Sequence, residues 1–277
     1  MPPRLFDHDA RTMRQQRALR TGQAATFLHD RTALQISERL TEVNRSFTKI
    51  AIVSGFTEPW RAVFPNSTIV PEIDTLPFAA DTYDLIIHAL ALHACNDPLG
   101  QLIQCHRALK KDGLFIAALF GGQTLHELRA TLAYGESEIT GGISPRVFPM
   151  AEIRDLGALL QRANFSLPVA DNDVLTVTYK TLLTLMHDLR AMGESNILSD
   201  RLDRFTASKV FSCAEHHYQL NYCNNNNLLP ATFEVIFLTG WRPDESQQQP
   251  LKPGSAQTSL QTALNAATQD DLDPDAN

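Results

Sequence analysis

The sequence has no apolar segment long enough to cross a membrane. Its uninterrupted apolar runs fall well short of the roughly 20 residues that a transmembrane helix needs, and the first residues lack the apolar core of a signal peptide. Cysteine is scarce as well: the 277 residues include 4 cysteines, none of them in a C-x-x-C pair. From these absences we expect a cytoplasmic protein with reduced thiols.

Positive charge is also in short supply. The formal net charge is −7 at pH 7, which disfavours a general nucleic-acid binder. The first twenty residues are the exception, with five arginines against two aspartates. A basic arm of this kind is able to make a peripheral contact with an anionic membrane or to bind an acidic partner. Because the arm lacks a strong apolar stripe, its pattern favours a solvated helix face.

Glycine is nearly absent from the first strand–turn–helix segment. Residues 50–61, IAIVSGFTEPWR, predict a buried strand over 50–53, a turn, and the start of a helix. A nucleotide-binding fold carries its glycine-rich loop at such a place. The turn here contains only Gly55, so the segment is either a degenerate cofactor loop or a turn of another kind.

Apolar runs and helical segments alternate along the rest of the chain. Runs at 67–70, 84–90 and 114–120 predict strands, and 98–109 predicts a helix. The nearly continuous run at 84–90 is typical of a parallel strand buried on both faces. Successive strand–helix–strand steps predict an α/β protein with a mostly parallel sheet. Further predictions are a turn at 110–113, strand structure over 165–170 and 174–179 (two strands, or one with a bent extension), a helix over 200–222, and an edge or antiparallel strand at 231–239.

These patterns divide the chain into three parts. We expect a helical N-terminal arm over 1–45 and a main domain over 46–242, with a helical insertion at about 180–225. The polar stretch 243–277 predicts an extended, largely disordered tail.

Two stretches resemble the class I S-adenosylmethionine-dependent methyltransferases. They are LPFAADTYDLIIHALALH (76–93) and HRALKKDGLFIAALF (106–120). The resemblance implies a Rossmann-like α/β sheet with the cofactor at the carboxyl ends of the strands. It also implies S-adenosylmethionine as the cofactor.

Four other segments resemble, more narrowly, the complex I assembly factor five family. They are FGGQTLHELR (120–129), SPRVFPMAEIRDLGALLQRANF (144–165), MGESN (192–196) and PATFEVIFLTGWRPDESQQQPLKPGSA (230–256). The N-terminal RLFD (4–7) and the stretch around Arg14–Arg20 fit the same family. For the mitochondrial member, this resemblance implies hydroxylation of an arginine on an iron–sulphur subunit of respiratory complex I.

The chain departs from the methyltransferase pattern in the loop and in the spacing. The acidic position falls on Ile52, and the three glycine positions fall on Ser54, Phe56 and Glu58. Glycine there lets the backbone approach the ligand closely, so these substitutions predict weakened cofactor binding. Only 17 residues separate Glu58 from the Leu-Pro-Phe turn at 76–78. One helix and one strand fit in that length, so we expect a sheet truncated on the cofactor side.

The resemblance implies cofactor-binding positions at Gly55, Glu72, Asp74 and Leu76. Glu72 and Asp74 follow the turn by about 20 residues, the distance expected of a ribose-binding acid. A second possibility places Glu72 at the adenine side and leaves no ribose-binding acid, and a third is that both are solvated carboxylates on a surface loop. His93 follows the strand at 84–90, where it is either a general base facing the crevice or a packed, hydrogen-bonded side chain.

Candidate substrate or partner residues come later in the chain. Gly121 and Gly122 either leave room for a ligand or allow a tight turn. Glu127 and Arg129 either hold a polar substrate or are exposed helix charges. Trp241 either packs over the crevice or recognises a partner. No histidine–carboxylate spacing predicts a metal site.

Three functions remain open at this point. The first is a methyltransferase or arginine hydroxylase of the assembly-factor family. The second is a non-catalytic pseudoenzyme that binds a complex I iron–sulphur subunit as an assembly or scaffold protein. The third is a methyltransferase-fold pseudoenzyme with an unrelated partner, because a fold does not determine a function.

Overall fold

The computed structural model describes residues 4–22, 24–43 and 45–247. The predicted tail lies mostly outside these residues, since only its first five residues, 243–247, are described. Residues up to Pro243 form one compact unit. Its elements, in chain order, are α1 (His8–Arg20), α2 (Phe27–Glu42), β1 (Ile50–Val53), α3 (Glu58–Val63), β2 (Thr68–Val70), β3 (Tyr83–Ala89), a 3-10 turn (Leu92–Ala94), α4 (Pro98–Ala108), β4 (Leu109–Phe120), α5 (His126–Thr140), α6 (Ile153–Arg162), β5 (Ser166–Tyr179), α7 (Leu182–Ala191), α8 (Ser208–Tyr222) and β6 (Leu229–Trp241).

Six strands form one sheet in the order β2-β1-β3-β4-β6-β5. The first four are parallel, and β6 runs antiparallel between β4 and β5. The predicted mostly parallel α/β sheet is confirmed. The described residues between β1 and β3 contain one helix and one strand, and the sheet ends at β2. The predicted truncation on the cofactor side is therefore confirmed too.

Four local predictions differ from the structure or are narrowed by it. Residues 110–113 lie inside β4 rather than in a separate turn, with Asp112 at a φ of 57°. The segments 165–170 and 174–179 belong to one irregular strand, β5. Helix α8 begins only at Ser208. Strand β6 is antiparallel as predicted, but it is internal, and β5 is the edge.

The sheet separates two apolar cores because side chains alternate along a strand. Leu85 and Ile87 of β3 face the core that holds residues of α2, α3, α5, α7 and α8. Ile86 faces the core under α4 and α6. Burial of these apolar side chains is the main force that holds the helices on the sheet.

The N-terminal segment packs onto the sheet domain. The Phe6 N–H donates to Asn96 Oδ1, and Asn96 Nδ2 donates to the Phe6 carbonyl, each at 2.9 Å. The Asp7 N–H donates to the Ile197 carbonyl (2.9 Å). Helix α1 is thus held beside the crevice, and its Arg11 is buried. The expectation of a solvated helix face is wrong for this residue. Among the described residues, no helix is both long and apolar enough to cross a membrane.

Candidate functional site

The loops after β1 and β2 meet at the edge of the sheet where their carboxyl ends lie. Gly55 follows β1 and Glu72 follows β2, and the Gly55 N–H donates to Glu72 Oε1 (2.9 Å). Glu72 thus occupies the position that the resemblance assigns to ribose binding. Its side chain is only 9% exposed, so the alternative of a solvated loop carboxylate is wrong for Glu72.

Two side chains of α1 fill the space in front of Glu72. Gln15 Nε2 donates to Glu72 Oε1 (3.0 Å), and Arg11 Nε donates to Glu72 Oε2 (3.0 Å). Together with the Gly55 N–H, these groups engage both carboxylate oxygens. The acid expected to bind a ribose therefore holds the protein's own N-terminal helix.

Arg11 links Glu72 to a second buried acid, Glu194. Arg11 Nη1 donates to Glu194 Oε2 (2.8 Å), and Nη2 donates to the Leu90 carbonyl (3.4 Å). Burial by itself lowers the pKa of Arg11, but the attraction of Glu194 and Glu72 outweighs it and raises that pKa above its ordinary value. Burial likewise raises the pKa of Glu194, but the Arg11 charge and the hydrogen bond to His93 outweigh it, so that pKa is lowered. Both groups stay charged at neutral pH.

His93 lies in the 3-10 turn after β3 and is buried within this cluster. Its Nε2 is 3.5 Å from Glu194 Oε2, and its ring stacks parallel to Phe148 and contacts Phe120. Its side chain is 0% exposed. This placement matches a packed, hydrogen-bonded histidine, and a general base would need access that His93 does not have here.

Phe56 fills the part of the crevice where the family pattern has its second glycine. Phe56 is buried, and its ring centroid lies 4.9 Å from that of His29. The Ser54 hydroxyl donates to the Phe56 carbonyl (3.0 Å) and accepts from the Phe56 N–H (3.1 Å), which closes the turn. At Gly55, a Cβ would come within 3.0 Å of Gln15. The one remaining glycine therefore makes room for Gln15.

His29 supports Phe56 from behind and must stay neutral to do so. The Trp60 indole donates to His29 Nδ1 (3.0 Å), so that nitrogen is an acceptor. Burial lowers the pKa of His29 from 6.5 to about 4, against the opposing pull of Glu72 and Glu194. The folded pKa lies below the unfolded one. The contribution of neutral His29 to the free energy of unfolding is therefore complete above pH 6.5 and is lost as the pH falls through about 4.

We therefore expect the free energy of unfolding to fall between pH 6.5 and pH 4, and to fall less steeply in a His29→Gln variant. Urea unfolding at stepped pH measures this slope. His216→Gln is the matched control, because His216 is exposed and its replacement should leave the slope as in wild type. A His29→Gln slope equal to that of wild type would contradict the buried, neutral assignment.

The other two predicted cofactor positions have structural partners. Asp74 is exposed, and its Oδ1 lies 3.1 Å from His8 Nε2. Leu76 is buried in the core under α4, and its N–H donates to Gln104 Oε1 (2.8 Å).

The two glycines after β4 make room for carboxylates. A Cβ on Gly121 would come within 3.0 Å of Glu234, and a Cβ on Gly122 would come within 3.0 Å of Glu152. The Gly121 N–H also donates to the Glu234 carbonyl (2.9 Å). Of the two alternatives, the structure supports the tight turn, because the Thr124 N–H donates to the Gly121 carbonyl (2.9 Å) and carboxylates of the protein fill the space beside both glycines.

The remaining candidates, Glu127, Arg129 and Trp241, do not form a common ligand-binding site. Glu127 is buried rather than exposed, and it accepts hydrogen bonds from the Thr232 hydroxyl (2.5 Å) and the Thr232 N–H (3.2 Å). Arg129 Nη2 donates to the Thr124 carbonyl (3.4 Å). Trp241 pairs with Leu114 at the amino end of the core part of β4. It therefore lies at the opposite edge from the crevice, and the interpretation that it covers the crevice is wrong.

A cavity of about 300 Å³ opens beside the filled crevice. Its walls are mainly apolar and come from α5, α7, α8, β6 and the segments 145–150 and 194–202. Phe120, Phe148 and Glu194 form the wall shared with the Arg11 cluster. Parts of four segments that carry the assembly-factor resemblance, 120–129, 144–165, 192–196 and 230–256, line this cavity, and so does Arg14 of α1. Within the described residues, no group of three or more His, Cys, Asp or Glu is arranged to hold a metal ion.

Sequence reasoning missed Arg11, Arg14 and Gln15 as site residues. They belong to the basic arm, and nothing in the local sequence separates a buried arginine from a solvated one. The available signal was the spacing of Arg11 and Gln15, four residues apart, which places both on one helix face.

The sheet order and the crevice at the carboxyl ends of the parallel strands define a class I methyltransferase-like protein. A sequence profile of the methyltransferase domain family matches residues 19–117. A solved structure described as a methyltransferase of Bacillus halodurans, 13% identical, covers 75% of this chain and 98% of its own, with a TM-score of 0.49.

Sequence relatives define the family more closely. The arginine-hydroxylase NDUFAF5, mitochondrial, of Danio rerio is 36% identical over 227 residues, which cover 81% of this chain and 70% of that protein. The protein of the same name from Homo sapiens is 39% identical over 196 residues, which cover 71% of this chain and 56% of the human protein. The chain belongs to the arginine-hydroxylase NDUFAF5 family. The matched residues cover 70% and 56% of the length of these two relatives. Membership of the family therefore does not by itself assign their activity to this chain.

The methyltransferase resemblance implies S-adenosylmethionine, and the crevice residues do not fit it. A nucleoside would need the Glu72 carboxylate, which Gly55, Gln15 and Arg11 already engage. It would also need the space that the buried Phe56 side chain fills. The predicted degenerate loop is thus accompanied by side chains that engage the groups a nucleoside would need. A space of about 290 Å³ remains open beside Gly55 and Glu72, and residues of α1 such as Gln15 line it.

Proposed function

We propose that this chain assists the assembly of respiratory complex I by binding one of its iron–sulphur subunits and acting on an arginine of that subunit. Its relatives are named arginine hydroxylases. The observation that carries the proposal is the convergence of the family-specific segments on one cavity. Such pockets, mostly apolar with a few polar groups, are where proteins usually bind small ligands. The iron–sulphur subunit itself would therefore contact the surface around the cavity.

A specific observation also favours a second candidate, a non-catalytic assembly protein with the same partner. Arg11, Gln15 and Phe56 fill the cofactor crevice, so a chemical step through S-adenosylmethionine has no support from these residues. The vertebrate relatives are named mitochondrial. A cytoplasmic location and a peripheral membrane contact stay predictions for this chain.

Substitution of Phe205 tests partner binding. Phe205 is fully exposed in the loop that follows Leu202 of the cavity wall, and exposed aromatic residues are common anchors at interfaces. We expect Phe205→Ser to weaken capture of the iron–sulphur subunit about tenfold. Leu220→Ser, which changes another exposed apolar residue, should not weaken it. Quantitative co-purification from the same organism measures both.

The mass of the captured subunit separates the two candidates. The subunit is isolated from cells that carry the gene and from cells that lack it. If the chain is a hydroxylase, only the subunit from the first cells should have one added oxygen atom on an arginine. An added methyl group would indicate methylation, and capture without a mass change would favour the assembly protein. Failure to capture any complex I iron–sulphur subunit would contradict the proposal as a whole.

A further inference from the structure

The ionisable side chains that line the open cavity are mostly cationic. They are three arginines, Arg14, Arg146 and Arg201, and one acid, Glu194. Glu194 pairs with Arg11 (2.8 Å), which lies outside the cavity and also pairs with Glu72. Two of the arginines also have partners: Arg146 pairs with Glu136 (2.8 Å) and Arg201 with Asp7 (2.8 Å).

Of the three lining arginines, Arg14 is the one without a carboxylate partner among the described residues. It is partly buried, and no described carboxylate lies within ion-pair distance of it. Its one hydrogen bond within the described chain runs from Nη1 to the Ser195 carbonyl (2.8 Å). A guanidinium has five N–H donors, so most of them remain available. Burial and the nearby charges of Arg201 and Arg17 lower the pKa of Arg14 and outweigh the opposing attraction of Asp7, so an added anion there would relieve an unfavourable interaction.

The other polar groups of the cavity wall are largely engaged. Asn196 Nδ2 donates to the Pro145 carbonyl, and its Oδ1 accepts from the Leu198 N–H. The Thr124 hydroxyl donates to the Glu234 carbonyl and accepts from the Glu234 N–H. A peptide inside the cavity would leave its backbone N–H and C=O groups without partners, which is costly. A ligand with one charged group and an otherwise apolar body has no such cost.

We propose that this cavity binds a small amphipathic anion, an unbranched apolar chain of medium length that ends in a carboxylate or phosphate. Arg14 binds the head group, and the apolar chain packs between α5 and α7, against residues such as Leu128 and Met186. A volume of about 300 Å³ suits a ligand of this size. The site goes beyond the proposed function and does not depend on it, because ligand binding and capture of the complex I subunit are measured separately.

Calorimetric titration of the full chain with hexanoate, octanoate, decanoate, decyl phosphate and decanol tests the proposal. We expect saturable binding of the ten-carbon anions, with affinity rising about fourfold for each added methylene of the carboxylates. The tighter of decanoate and decyl phosphate identifies the head group. Decanol should bind wild type about tenfold more weakly than the better anion.

Variants of α1 locate the head group. Arg14→Gln should weaken binding of the better anion about tenfold and leave decanol binding unchanged. Arg20→Gln is the matched control, because Arg20 is exposed on the same helix and its replacement should leave both affinities unchanged. The proposal is overturned if no anion binds saturably, if decanol binds wild type as tightly as decanoate and decyl phosphate do, or if Arg14→Gln binds like wild type. The decanol comparison uses wild type alone, so it stands even if the variant folds poorly.

Discussion

Replacement of Arg11 by Met should lower the free energy of unfolding by about 3–5 kcal/mol, the usual effect of removing one partner from a buried ion pair. The substitution leaves Glu72 and Glu194 facing each other without the cation that lies between them. Arg20→Met on the same helix is the control, and because Arg20 is exposed it should change stability by no more than about 0.5 kcal/mol. Urea unfolding at pH 7 measures both.

A compensated variant tests the cause of this loss. If uncompensated charge is responsible, adding Glu72→Gln and Glu194→Gln to Arg11→Met should recover part of the lost stability, because no buried charge then remains unpaired. An Arg11→Met variant as stable as Arg20→Met would contradict the described cluster. So would a triple variant that is less stable than Arg11→Met alone.

Restoration of glycine in the loop is expected to damage the protein rather than to repair it. Phe56 is buried against His29, so Phe56→Gly should cost about 3–5 kcal/mol through the cavity that it leaves. Phe205→Gly is the matched control for stability, because Phe205 is fully exposed and its loss should cost no more than about 0.5 kcal/mol.

The triple variant Ser54→Gly, Phe56→Gly, Glu58→Gly should also fail to gain S-adenosylmethionine binding. Arg11 and Gln15 would still occupy the Glu72 carboxylate, and these residues lie outside the loop. Stability is measured by urea unfolding, and binding by calorimetry on variants that remain folded. Micromolar binding by the triple variant would mean that the loop alone had blocked the crevice.

The sheet could be predicted from the sequence because the patterns that indicate its strands are local in the chain. The apolar runs at 50–53 and 84–90 are too continuous for a surface element, and their alternation with helices leaves few topologies. The shortened spacer likewise predicted the truncated sheet edge, since 17 residues hold only one helix and one strand.

The site could not be predicted in the same way because its contacts are long-range. Arg11 meets Glu72 across 61 residues and Glu194 across 183 residues. A lone arginine, glutamate or glutamine in a polar segment is usually solvated, so the local pattern of α1 predicted the wrong environment for Arg11. Glu127 was misread for the same reason, since its partner Thr232 lies 105 residues away.

The two halves of the crevice differ in what occupies them. On the cofactor side, Phe56 and two side chains from α1 occupy the space and engage the carboxylate that a nucleoside would need. On the other side, the segments typical of the assembly-factor family surround an open, mainly apolar cavity.

Titration of the purified wild-type chain with S-adenosylmethionine is the most direct test of this account. Calorimetry with up to about 1 mM ligand detects dissociation constants up to the high micromolar range. Thermal unfolding in the same ligand series provides an independent readout. The filled crevice predicts no heat of binding and no shift in unfolding temperature. Saturable binding in the micromolar range would contradict it, and would mean that α1 and Phe56 leave the crevice when the cofactor enters.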